Sequence, residues 1–110
     1  ISVFRLNRLT SATVLDSDGA ANITPANAAV NLDIPGAGVV IAAGSTLNPA
    51  DASVPSLTGI TQSGSGVLAL NLYKWVYGAV QNQPAQSGLT ITSVLNAGGL
   101  ANAMIAASWQ

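Results

Sequence analysis

Apolar and polar residues alternate in short runs along most of this chain. Val30, Leu32 and Ile34 are separated by Asn31 and Asp33, the two-residue period of a half-buried strand. Leu89, Ile91 and Leu95 are interleaved with Thr90, Thr92 and Val94 in the same way. Val39-Val40-Ile41 is β-branched and bounded by Gly38 and Gly44, which predicts a strand buried on both faces. Residues 66–77 form the longest run and predict one long strand, while residues 11–15 and 57–62 carry weaker strand signals.

Turn formers divide these runs. The chain has 11 Gly and 5 Pro, clustered at Asp18-Gly19, Pro35-Gly36-Ala37-Gly38, Ser63-Gly64-Ser65-Gly66 and Gly98-Gly99. Short strands about ten residues apart with turns between them predict an all-β fold, an antiparallel two-sheet sandwich of jelly-roll or immunoglobulin-like type. The Ser63–Gly66 tetrapeptide reads as a flexible loop. Residues 1–10 read as an N-terminal arm, extended or in a short helical turn, and 11–110 as a single β-rich domain. Residues 100–107 are rich in Ala and predict a short terminal helix. It would begin after Gly98-Gly99, because each Gly costs about 1 kcal/mol inside a helix. Gly99, Ala103 and Ala107 recur at a spacing that lets helices approach closely in membranes. Asn96, Asn102 and the short length favour a tightly packed terminal segment instead.

Charge changes the picture most. The 110 residues include 3 basic side chains (Arg5, Arg8, Lys74), 4 acidic ones (Asp16, Asp18, Asp33, Asp51), and no His, Cys or Glu. Charged residues make up 6% of the chain, against about 25% in ordinary domains. Acid–base chemistry and nucleophile activation draw mainly on the missing types, so the sequence predicts no enzyme, no catalytic residue and no cofactor. Gly-x-Ser-x-Gly, the P-loop and the dinucleotide fingerprint are all missing. With 49% hydrophobic residues and a net charge of −1, the surface would be apolar for a free monomer. Such surfaces associate. The expected partners are copies of this chain and another structural protein.

Two arginines neutralise too few phosphates for nucleic-acid binding, and no apolar run reaches the ~20 residues of a membrane span. Ile1 is not a usual product of methionine removal, and Asn22-Ile23-Thr24 matches a glycosylation sequon. Both point to an extracellular or virion location.

Two segments invite a ligand. Asp16-Ser17-Asp18-Gly19 begins like a calcium loop, but Gly19 falls at position 4, Ala20 at 5 and Asn27 at 12, so no metal site is predicted. On a strand, Tyr73, Trp75 and Tyr77 share one face, with Leu68, Leu70, Leu72, Lys74 and Val76 on the other. The aromatic row could be core, a subunit interface or a platform for stacking sugars. Phe4, Arg5 and Arg8 of the arm join it as candidate interface residues, the arginines facing a body that carries the aspartates. The expected function is a non-catalytic structural subunit of a repeating assembly, either a virion coat or decoration protein or a secreted surface filament. The alternative is an extracellular carbohydrate-binding module that uses the aromatic face.

Overall fold

The computed structural model describes residues 4–6, 9, 11–24, 26–34, 36–49, 54–68, 72–97 and 99–110. Arg8, Asp51, Leu70 and Gly98 lie outside the described residues. Among the described residues eight strands follow one another: β1 (Asp16–Asn22), β2 (Ala28–Ile34), β3 (Gly38–Leu47), β4 (Ser56–Thr58), β5 (Gln62–Val67), β6 (Tyr73–Gln83), β7 (Gln86–Val94) and β8 (Ala101–Trp109). All pairings are antiparallel. They form a five-stranded sheet in the order β1-β8-β3-β6-β5 and a three-stranded sheet in the order β2-β7-β4. The two sheets pack as a β-sandwich.

The pairing is strongly non-local. From β1 to β4 consecutive strands alternate between the sheets, and the last strand lies between β1 and β3. That is the wrapped order of a jelly roll, whereas the immunoglobulin sandwich keeps its first two strands side by side in one sheet. β5 departs from the wrapping. It pairs with its successor β6 and widens the large sheet.

The core explains which face of each strand turns inward. Val30, Leu32, Ile34 and Ile91 of the small sheet are buried against Val40, Ala42, Val76, Met104 and Ala106 of the large one. Ala42 and Ala106 on the large sheet leave room for the large aliphatics of the small one, and Val40, Val76 and Met104 fill the remaining space between the layers. A methyl group at Gly44 would lie 2.8 Å from Ser93 Oγ, so no side chain fits there without movement. Polar bridges cross the same interior. Asn102 Nδ2 donates to the Ser93 carbonyl at 2.7 Å, and Ser93 Oγ donates to Asn102 Oδ1 at 3.0 Å. Ser108 Oγ donates to the Asp33 carbonyl at 3.1 Å. Lys74, fully buried on the inward face of β6, donates its ammonium to the Asn48 carbonyl just after β3.

Several local expectations change. Residues 66–77 are not one strand: β5 ends at Val67 and β6 starts at Tyr73, which places their residues antiparallel in a hairpin. The Ser63–Gly66 loop is the body of β5. Residues 100–107 are strand β8, not a helix, because hydrogen bonding to β1 on one side and β3 on the other outweighs the helix preference of alanine. Val39 and Ile41 are only half-buried, so β3 buries one face. Residues 11–15 precede β1 rather than forming a strand, although Ser11 N–H and Leu15 N–H donate to the Gln110 and Ser108 carbonyls. The signal at 57–62 falls on the end of β4, a turn with Gly59 at φ 92°, and the start of β5. Gly59 Cα passes so near the Thr90 carbonyl that a Cβ would lie 2.2 Å from its oxygen.

Candidate interaction surface

The outward face of the large sheet collects the side chains that point away from the core. β6 contributes Tyr73, Trp75 and Tyr77, β3 contributes Ile41, Ala43 and Ser45, and β8 contributes Ala103, Ile105, Ala107 and Trp109. β1 adds Ser17, Gly19 and Ala21 at one edge, and β5 adds Gly64 and Gly66 at the other. None of these residues is charged. The charged residues within the described strands of this sheet, Asp16, Asp18 and Lys74, face the opposite way. Asp18 accepts the Asn31 N–H at 3.0 Å and Asp16 accepts the Asp33 N–H at 2.7 Å, so both carboxylates tie the edge strand β1 to β2. They sit on a strand rather than in the calcium-type loop that the sequence pattern resembles.

The three aromatics share one face, as their spacing predicts, with Val76 and Lys74 on the inward side. They are not a row of open rings. Trp75 and Tyr77 stack with centroids 5.4 Å apart and planes inclined by 12°. Phe4 meets Tyr77 edge-on, at 5.4 Å and 77°. Both strand rings also lean across β5. Gly64 pairs with Tyr77 and Gly66 with Trp75. A Cβ at Gly64 would lie 2.7 Å from Tyr77 Oη, and one at Gly66 2.7 Å from Trp75 Cζ2. The glycines of Ser-Gly-Ser-Gly therefore make room for the rings, and the rings cover backbone that glycine leaves bare. Their i, i+2 spacing, matched to that of the aromatics, is the signal in the sequence that marks β5 as a strand. Tyr73 is the most open of the three, 51% exposed.

Of the arm, Phe4, Arg5 and Leu6 lie near Val39, Ala79 and Gln81 at one corner of the face. Arg5 is exposed. The sequence does not mark the centre of the face, because residues 100–107 have the composition of a helix. Ile105 is the most exposed large apolar side chain of the described strands, at 67%, and shallow grooves of about 490 Å³ each flank it. Ile41, Trp109 and Asp18 line one groove, and Ala21 and Ser45 the other.

On the edge away from this face, Asp33 accepts the Gly88 N–H at 2.8 Å and the Ser87 hydroxyl at 2.9 Å. Those bonds, the Gly88 N–H first, hold its carboxyl below the usual carboxylate range. Among the described residues no group of three acidic side chains is placed to hold a metal ion, and no helix is long and apolar enough to cross a membrane. Comparison with protein-family models, curated proteins and solved structures gives no match.

Proposed function

We propose that this chain is a non-catalytic structural subunit that packs into a repeating assembly, as a virion coat or decoration protein or a secreted surface filament. The observation that carries this reading is the uncharged outward face of the large sheet, with Ile105, Trp109, Trp75 and Tyr73 at least partly open on it. A free monomer in water has no use for a contiguous apolar face of this kind, and such patches mark contact surfaces. The near-neutral chain adds little charge repulsion against packing many copies together. Light scattering and electron microscopy of the purified protein test it: ordered particles or filaments support the proposal, and a monodisperse monomer at high concentration overturns it.

The exposure of Tyr73 beside Trp75 favours a second reading, an extracellular carbohydrate-binding module. Against it, Trp75 and Tyr77 spend ring surface on each other and on β5, which leaves less open face for a sugar. A glycan array separates the two, since specific binding by a monomer would select the second.

A further inference from the structure

We infer that the outward face of the large sheet pairs with the same face of a second copy of this chain, Ile105 of each copy seated in a groove of the other. The inference rests on the assembly reading and names the surface that would serve it. Three observations identify the occupant. The outward strand side chains of the face are uncharged, Asp18 at the rim of one groove and Arg5 at one corner are the charges beside them, and a net charge of −1 does not hold two copies apart. The relief is self-complementary: Ile105 forms a ridge between grooves of about 490 Å³, floored by the small residues Gly19, Ala43 and Ala103. A two-fold axis between the layers then places each ridge in the other copy's groove, the isologous contact in which residue i meets j and j meets i.

The area also fits. Five strands of 6 to 11 residues make the face. At ~3.3 Å per residue and ~4.8 Å between strands it spans roughly 700 Å² in projection. Phe4 to Leu6 cover one corner. A stable protein interface takes about 800 Å² from each partner, and the accessible surface of the side chains exceeds the flat projection. Two such faces would stack about 10 Å apart, as sheets do inside a sandwich. The contact closes on itself as a dimer, so a repeating lattice needs a second contact elsewhere on the molecule.

The experiment is mass measurement by size exclusion with light scattering across a concentration series, on the whole chain and three variants. Ile105→Lys puts an ammonium at the centre of the contact. It should weaken association by roughly 100-fold and yield monomer. Ala43→Lys, on the neighbouring strand at the floor of both grooves, should do the same and replaces the first variant should that one fail to fold. Thr58→Lys, on the three-stranded sheet, should associate like the parent. Circular dichroism verifies that each variant is folded. If the parent forms assemblies that both folded face variants retain, the face-to-face pairing is wrong while the assembly reading stands. If the parent is a monomer throughout, both fall.

Discussion

Replacing Gly66 by Ala probes the interlock of β5 and β6 most directly. The added methyl would lie 2.7 Å from Trp75 Cζ2 and 2.9 Å from Cε2, closer than real contacts allow. The indole cannot simply swing aside, because Tyr77 stacks on it. Pushing the ring off its preferred rotamer costs about 1 kcal/mol. Trp75→Ala alone should remove more. A buried Trp covers 150–250 Å², so the half-buried indole covers on the order of 100 Å², worth ~2.5 kcal/mol, with the stacked pair adding about 0.5–1.5 kcal/mol. Together these predict a loss of about 3–4 kcal/mol, or a melting temperature lower by roughly 15 °C. In the Trp75→Ala background the space over residue 66 is open. There Gly66→Ala should stabilise by about 0.5 kcal/mol, since alanine restricts the unfolded chain and suits a strand better than glycine. The Gly66→Ala effect therefore reverses, from a net loss of about 0.5 kcal/mol in the parent to a gain of about 0.5 kcal/mol, a coupling of about 1 kcal/mol. Urea unfolding followed by far-ultraviolet circular dichroism of the four proteins measures it. Equal effects of Gly66→Ala in both backgrounds would refute the interlock. A Trp75→Ala change within about 0.5 kcal/mol would show that the indole is not structural and would favour the ligand platform.

Three further outcomes can be checked. Asn102→Ala strips the buried Ser93 carbonyl and hydroxyl of their shared partner, and at about 1–3 kcal/mol per orphaned group it should rank among the most damaging single changes in the core, read by the same urea titration. Asp33 has a lowered folded pKa, so its ionised bonds stabilise above the unfolded value, near 3.9, and that contribution is lost as pH falls through the lower folded value. Parent and Asp33→Asn should accordingly differ in stability at pH 6 and converge toward pH 2, and an identical difference at both pH values would contradict the Gly88 and Ser87 bonds. Assembly should respond weakly to sodium chloride, because the proposed contact is apolar and salt screens charge pairs far more than it affects burial; particle mass that collapses between 0.05 and 0.5 M salt would argue for a charged interface.

Alternation along the chain determined a good deal by itself. It placed Val30, Leu32 and Ile34 on a buried face and set Tyr73, Trp75 and Tyr77 opposite Val76, because a strand repeats every two residues whatever surrounds it. The scarcity of charge likewise followed from composition alone. Tertiary structure decided the rest. Residues 100–107 have the composition of a helix, and only the neighbours β1 and β3, distant in sequence, make them a strand. Local preference amounts to a few tenths of a kcal/mol per residue, while a central strand gains a hydrogen-bonded partner on each side and a core beneath it. The unbroken run Val39-Val40-Ile41 reads as a strand buried on both faces; that β3 keeps one face open depends on where the second sheet lies. Ser-Gly-Ser-Gly reads as a loop until the rings of Trp75 and Tyr77 lie over its glycines. The open face around Ile105 was hidden for the same reason: its residues come from five strands that only the wrapping of the chain brings side by side.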